Sequence, residues 1–327
     1  MPIKQDHTLQ ETLVSFIIPV YNVPTDMLRE CIESILQLTL RQNEREIIVV
    51  DDGSDSAVIK ELDDYSNHII YIRQKNQGLS AARNRGILLA TGRYIQFVDA
   101  DDKLVSNLYE HCLDIIRMQK PDITAFNFTD SLPAPIQYTD MPIISGADYL
   151  RRYNIKGSVC CYLFKKATLG DLRFTYGTFH EDEEFTPLLL LRAETVCVTN
   201  AKAYFYRKRH NSITTNKNMR VILKRLNDSK EIIYGLYSKF DKIPLTERLA
   251  LQRRVAQLTM DYIYNIIVTT RNRHYLNRRL NELKSKGLFP LPDQNYTKKY
   301  KWFRKMTNSD LGITILMRTL PLMKKER

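Results

Sequence analysis

The sequence predicts an α/β fold built on a mostly parallel central sheet, and three observations carry that expectation. Short apolar runs of strand length alternate with stretches of helical spacing, the connections are short, and an acidic or Asn-bearing turn follows the key apolar runs. Val14 to Val20 (VSFIIPV) is the first run and ends at Tyr21 and Asn22. Thr25 or Asp26 is placed to cap a helix on which Leu28, Ile32, Ile35 and Leu36 recur at helical spacing. Glu46 to Val50 (EIIVV) is the second buried strand and runs into DDGSDS. A helical stretch through Ile59 and Leu62 leads to a third strand at His68 to Arg73. Asn76 to Gly92 (NQGLSAARNRGILLATG) reads as a helix punctuated by Gly78 and Gly92, with the strand Tyr94 to Val98 (YIQFV) behind it. Such an order implies right-handed crossovers, and ligands of these sheets collect beyond the carboxyl ends of the strands. Tyr21-Asn22, Asp51-Asp52 and Asp99-Ala100-Asp101 fall at those ends and are expected to share one crevice.

Further along, Leu108 to Met118 reads as a helix, DITAFNF as strand-like and Leu132 to Ile144 as a Pro-rich loop, and beyond Met219 the pattern is helical. The expected domains are a catalytic one over 1–215, with halves 13–107 and 108–215, and a basic helical C-terminal region over 216–327. A chain of 327 residues with 43% hydrophobic content can bury one large core or two modest ones. The net charge of +12 suggests an anionic partner: a nucleotide, a nucleic acid or a membrane surface. It is unevenly placed, since residues 217–327 hold 25 Lys+Arg against 9 Asp+Glu, or +16, which leaves −4 for the first 216. Five cysteines, an odd number without a CxxC pair, fit a reducing cytoplasm. The polar start MPIKQDHTLQET offers no signal-peptide core, and no run of about 18 apolar residues predicts a spanning helix.

The chemistry concentrates in a few clusters. QFVDADDKL sets Asp99, Asp101 and Asp102 within four positions, where like charges raise one another's pKa unless a cation intervenes. Carboxylates at D-x-D spacing in a strand-end loop suit Mg²⁺ or Mn²⁺, which takes one or two protein carboxylates and fills its shell from phosphate and water. The plainer reading is a solvated acidic loop that caps the next helix. Asp51 or Asp52 is placed to accept the imide N–H of a uracil, or to form an Asx turn. Arg83 and Asn84 lie near the start of the Gly-bounded helix, where Arg83 can pair with phosphate or carboxylate, while Arg85 points elsewhere and reads as a surface residue. HEDEEF (His180 to Phe185) is either the exposed first turn of a helix ending in LLLLR or the source of a general base crowded by neighbouring acids. In YFYRKRHNSITT, Arg207, Arg209, His210, Ser212 and Thr214 either reach a phosphate or the metal, or form a basic surface loop.

Taken together, VSFIIPVYN, EIIVVDDGSDS, NQGLSAARNRGILLATGRYIQFVDADD and FHEDEEF, in that order and spacing, resemble the family 2 glycosyltransferases with a GT-A fold over roughly residues 13 to 215. The resemblance implies a nucleotide-diphosphate sugar donor, UDP-sugar favoured, a divalent cation (Mn²⁺ or Mg²⁺), and inverting transfer to a hydroxyl of a glycan or lipid-linked acceptor in cell-surface polysaccharide synthesis. By position, Tyr21 packs beside the nucleobase and Asp52 binds it, Arg83 lies near the donor, and Asp99 faces the ribose and sugar. Pro19 and Ala100 join this donor-binding set, as do Arg209 and His210. Asp101 is the metal ligand, with Asp99 as a second candidate, and Asp182 is the general base.

Two rival functions are weaker. A nucleic-acid-binding protein using the basic C-terminal part lacks a helix-turn-helix, zinc-finger or RNA-recognition signature, so nucleic acid is not an expected partner. A nucleotidyltransferase lacks its usual Gly-rich phosphate loop after the first strand, where IIPVYNVPTD stands instead. Residues 298–327 combine nine Lys+Arg, two Asp+Glu, the only Trp and an apolar run broken by Arg318. They either lie on an anionic bilayer at the inner face of the cell membrane or pack as a helix with a solvated basic face.

Overall fold

The computed structural model describes residues 12–56, 58–132, 137–208 and 218–323. The chain divides into two compact units, one of Met1–Gly146, Lys156–Gly177 and Glu181–His210, the other of Ala147–Ile155, Thr178–His180 and Asn211–Arg327.

The first unit begins with β1 (Val14–Val20), α1 (Thr25–Leu36), β2 (Arg45–Asp51), a 3₁₀ stretch at Val58–Tyr65, β3 (Ile69–Arg73), α2 (Leu79–Leu89) and β4 (Tyr94–Phe97). It continues through β5 (Lys103–Leu104), α3 (Ser106–Met118), β6 (Ile123–Ala125) and β7 (Phe128–Thr129). After α4 (Gly146–Arg152), most of which belongs to the second unit, come β8 (Tyr162–Lys165), α5 (Lys166–Leu169), α6 (Glu181–Leu191), β9 (Val196–Val198) and β10 (Tyr204–Phe205). Among the described residues, seven strands form one sheet in the order β3-β2-β1-β4-β8-β6-β9, and β5-β10-β7 form a small second sheet. β1 pairs in parallel with β2 and β4, and β2 with β3, whereas β8 runs antiparallel to both β4 and β6. The mixed α/β architecture with a mostly parallel sheet is the one the alternating apolar runs predict.

Every residue of β1 is buried, which is why that strand reads as a continuous apolar run without alternation. Pro19 is tolerated in this central strand because of where its missing N–H points. The Ile17 carbonyl accepts from Val98 N on the β4 side and the Val20 carbonyl from Asp52 N on the β2 side, so alternation turns Pro19 toward β4. β1 and β4 pair only as far as Ile17 and Phe97, so no ladder bond is lost. α1 buries Leu28, Cys31, Ile32 and Ile35 as its spacing requires. Its cap differs from expectation: Pro24 occupies the N-cap without a side-chain bond, and Thr25, already helical, donates its hydroxyl to Glu61 instead. All five cysteines are buried and unpaired.

α2 lies against β1 and β2. Small residues make that possible, and a Cβ on Gly86 would sit 2.2 Å from Ile17 Cγ2. The close approach buries Ser80, Ala81, Ala82, Arg83, Asn84 and Ile87 as well. A helix buried this deeply must find partners for its polar side chains.

In the second unit, α7 (Met219–Tyr237), α8 (Leu245–Thr270), α9 (Arg273–Ser285), α10 (Lys298–Thr307) and α11 (Asp310–Met323) follow one another. α8 is the axis, touching α7, α9, α10 and α11. Side-chain caps start three of these helices: Asn218 accepts from Arg220 N at 2.9 Å, Asn272 from Tyr275 N at 2.9 Å and Thr297 from Tyr300 N at 3.0 Å. Among the described residues no helix is long and apolar enough to cross a membrane.

The contact between Gly86 and Ile17 gives a direct test of how closely α2 seats on the sheet. Gly86→Val should destabilise the protein by about 1–3 kcal/mol through overpacking, seen as a lower unfolding midpoint. An unchanged midpoint would mean that α2 does not press on β1.

Candidate active site

β1, β2 and β4 are parallel neighbours, so their carboxyl ends reach the same edge of the sheet. Tyr21, half exposed, and Asn22, at φ +50°, leave β1 there. The loop after β2 is stitched to them. Asn22 N donates to Ser54 Oγ at 3.1 Å, Asn22 Nδ2 to Asp55 Oδ2 at 3.1 Å, and Asp55 N returns a bond to Asn22 Oδ1 at 2.9 Å.

The two acids of that loop divide their tasks. Asp51 holds the loop itself: its oxygens accept from Ser54 N at 2.8 Å and from the Tyr71 hydroxyl at 2.7 Å, and Arg73 lies 3.6 Å away. Asp52 faces the start of α2 and accepts from Gln74 Nε2 at 2.8 Å, Gln77 N at 3.0 Å and Gly78 N at 2.7 Å. A carboxylate beside the first N–H groups of a helix is well placed electrostatically. Gly53, at φ +77°, allows the turn, since a Cβ there would meet Asn76 N at 2.8 Å.

Arg83 is the centre of the site. It is 3% exposed, and its guanidinium bridges two carboxylates: Nη1 donates to Glu181 Oε1 at 2.6 Å and Nη2 to Asp99 Oδ1 at 3.0 Å. The Phe97 and Phe174 rings lie 5.8 and 5.3 Å from its Cζ. Nε is buried with no hydrogen-bond partner among the described residues. Burial works against the guanidinium's charge, but Asp99 and then Glu181 more than offset it, and its pKa is raised. Next to it, Asn84 exchanges two hydrogen bonds of 2.9 Å with the backbone of Phe174, whose ring stacks on Phe185 at 3.8 Å. α2 thereby fixes the end of β4 on one side and the first turn of α6 on the other. Asp182, next to Glu181 in that turn, also contributes to the raised pKa of Arg83. Burial pushes the Glu181 carboxyl up, against the pull of Arg83 and with a further push from Asp182.

The three acids of the DADD loop have separate fates. Asp99 is taken by Arg83. Asp102 is buried and accepts from the Tyr204 hydroxyl at 2.8 Å and from Arg207 N at 2.8 Å, and burial, then Asp99, raise its pKa. Tyr204 also accepts from Asp99 N at 3.1 Å. Asp101 is half-buried between them, and Arg207 Nε donates to its carbonyl at 2.9 Å. The same Arg207 reaches Glu30 Oε2 on α1 at 2.8 Å, and Lys103 joins Glu30 at 2.8 Å. Arg207 therefore holds the acidic loop onto α1, a role different from the phosphate contact its basic surroundings suggest.

Among the sequence-predicted site residues, Pro19 and Ala100 are buried in the sheet and its edge loop, Tyr21 is exposed at that edge, and Asp52, Arg83, Asp99, Asp101 and Asp182 belong to the linked elements just described. Arg209 and His210 lie outside the described residues. Glu181 and Glu30 are the residues sequence reasoning missed. Each sits in a helix turn that reads as solvated, and only its partner, 98 residues away for Glu181 and 177 for Glu30, gives it a function. Among the described residues no group of three or more His, Cys, Asp or Glu side chains comes together as a metal cage. The carboxylates of Asp99 and Asp101 are hard oxygen donors of the kind a divalent cation such as Mg²⁺ or Mn²⁺ takes, and Asp99 is already engaged by Arg83.

Comparison with known proteins gives this geometry a context. Residues 15–167 match the family described as Glycosyl transferase family 2. The chain is 28% identical over 275 residues to glycosyltransferase GlyA of Streptococcus pneumoniae, covering 77% of this chain and 38% of GlyA. It is 29% identical over 260 residues to the minor teichoic acid biosynthesis protein GgaB of Bacillus subtilis, covering 71% of this chain and 27% of GgaB. The fold resembles that of S. aureus TarS 1-349 in complex with UDP-GlcNAc, with a TM-score of 0.56 at 17% identity over 90% of this chain and 91% of that one. The chain thus spans well under half the length of the two curated relatives, while its fold is the GT-A arrangement of the solved structure. Its likeness is to the family 2 glycosyltransferases, whose family model it matches over residues 15–167.

Proposed function

We propose that the chain transfers a sugar from a nucleotide-diphosphate donor, UDP-sugar favoured, to a hydroxyl of a glycan or lipid-linked acceptor with inversion at the anomeric carbon, in the assembly of a cell-surface polymer. The observation that carries this reading is the Arg83 bridge. It ties the acidic loop after β4 to the turn that bears Asp182. A UDP donor is favoured by the likeness to TarS bound to UDP-GlcNAc, and a surface-polymer setting by the likeness to GgaB.

The residues act in sequence from the nucleotide to the acceptor. The nucleobase lies beside Tyr21, and Asp52 accepts its imide N–H at the lone-pair site left by Gln74, Gln77 and Gly78. Asp99, held by Arg83, and Ala100 face the ribose and sugar. Asp101 and Asp99 would hold Mn²⁺ or Mg²⁺ with the diphosphate, and the bound cation would supply Lewis-acid stabilisation of the leaving group's charge. Asp182 takes the proton from the acceptor hydroxyl as its oxygen bonds to the anomeric carbon from the face opposite the nucleotide. The bond from that carbon to the diphosphate breaks in the same displacement, and the transition state has oxocarbenium character, as in glycoside hydrolysis. Arg83 and Glu181 are positioning residues, because Arg83 spends its two terminal nitrogens on carboxylates of the chain itself.

Two measurements test this assignment. With the nucleotide-sugar that a donor panel identifies, Asp182→Asn should lower turnover by roughly 10²-fold or more and leave the donor KM nearly unchanged. Turnover close to wild type would remove Asp182 from the role. UDP with Mn²⁺ should raise the melting temperature, by an amount equivalent to about 2.7 kcal/mol at a hundredfold excess over Kd. Asp101→Asn should lose the part of that rise that needs manganese. A full manganese-dependent rise in that variant would place the cation elsewhere.

A further inference from the structure

The last two helices of the second unit each bury one face and expose another. α10 turns Tyr300, Phe303 and Thr307 inward and exposes Lys298, Lys301, Trp302 and Lys305, which share one face at spacings of three, four and seven residues. α11 buries Gly312, Ile313, Leu316 and Leu320, and exposes Leu311, Ile315, Arg318 and Leu322 along a second face. Trp302, Leu311, Ile315 and Leu322 among them are large and apolar where a solvated helix would carry polar side chains: Trp302 is 49% exposed, Leu311 74% and Leu322 64%. The two helices are locked to one another. A Cβ on Gly312 would stand 2.2 Å from Met306 O, and Gly312 N donates to Ser309 Oγ at 3.0 Å in the turn between them. Neither face can therefore hide its apolar residues by a simple rotation of one helix against the other.

The charge on these helices indicates what covers them. Residues 298–323 carry Lys298, Lys299, Lys301, Arg304, Lys305 and Arg318 against Asp310 alone, and Asp310 is paired with Arg273 at 2.9 Å. Arg304 is likewise held, by Asp293 at 3.0 Å and by the Leu291 carbonyl at 3.1 Å. The exposed lysines have neighbours of the same sign, and an apolar protein partner would leave that charge buried and unpaired. An anionic lipid surface satisfies both features: basic side chains lie among the headgroups, and Trp, Leu and Ile enter the boundary with the acyl chains.

We propose that α10 and α11 form a peripheral membrane-docking surface for an anionic bilayer, with Trp302, Leu311, Ile315 and Leu322 inserted and Lys298, Lys301 and Lys305 on the headgroups. The proposal does not depend on which sugar the chain transfers. Near an anionic surface each lysine raises the partition coefficient by about fivefold, so reversing three charges should lower it by more than about 100-fold.

Trp302 is the only tryptophan of the chain, so its fluorescence reports this surface alone. The full chain is titrated with vesicles of phosphatidylglycerol in phosphatidylcholine and with vesicles of phosphatidylcholine alone, with flotation in parallel. The anionic vesicles should shift Trp302 emission to shorter wavelength, allow its quenching by brominated acyl chains, and carry the protein upward on flotation. Phosphatidylcholine alone should do little. A variant with Lys298→Glu, Lys301→Glu and Lys305→Glu, and a separate Leu311→Ser/Leu322→Ser variant, each with wild-type melting temperature, should lose binding. The inference is overturned if Trp302 emission does not move with anionic vesicles, or if the charge-reversed variant floats like wild type. It is also overturned if a nucleic-acid duplex shifts Trp302 where the vesicles do not, or if light scattering shows a homodimer that the leucine substitutions dissociate.

Discussion

A guanidinium buried on the wall of a β-sheet is the constraint from which the rest of this site follows. α2 lies so close to β1 that its third turn must be glycine, and that proximity takes Arg83 out of water. A buried cation has to be paired, and removing one partner of such a pair costs about 3–5 kcal/mol. Against a typical total stability of about 5–15 kcal/mol, that is enough to hold both carboxylates in place. Asp99 comes from the end of β4 and Glu181 from the start of α6, so the ion pairs that let the helix seat also fix where two distant acidic segments meet. Folding and the geometry of the site are one requirement.

The acidic loop after β4 shows how like charges are kept together. Asp99 has Arg83 and Asp102 has Tyr204 with the Arg207 amide, so the chain supplies partners for two acids of DADD, although burial and Asp99 still raise the Asp102 pKa. Arg207 then fastens the loop through the Asp101 carbonyl and Glu30 on α1. On the proposed reading, a divalent cation at Asp101 would reverse the local sign of the potential and let this negatively charged edge accept a diphosphate.

The parts of this molecule that were legible in the sequence are those where burial leaves a pattern. β1, β2 and β4 are largely apolar, buried runs because both faces of the sheet are covered, and α1 repeats its apolar residues at helical spacing because one face is. Gly78 and Gly92 mark the limits of α2 for reasons of backbone conformation and close approach. What was not legible depends on partners far away in the chain. Glu181 reads as one more acid in a solvated first turn, yet it is 8% exposed because Arg83 needs it. Arg207 reads as part of a basic loop, yet two of its nitrogens and its amide are spent on holding other loops. The small sheet of β5, β10 and β7 is built from two-residue strands, too short to leave any periodicity.

The most direct test of the account is a crystal structure of the chain with UDP and manganese. The account predicts an anomalous manganese peak about 2.1 Å from a carboxylate oxygen of Asp101, the distance usual for a small hard cation on oxygen. It also predicts diphosphate oxygens on the same ion, the uracil edge at Asp52, and Arg83 still bridging Asp99 and Glu181. A manganese peak remote from the DADD loop, or a nucleotide bound away from the carboxyl ends of β1, β2 and β4, would contradict it.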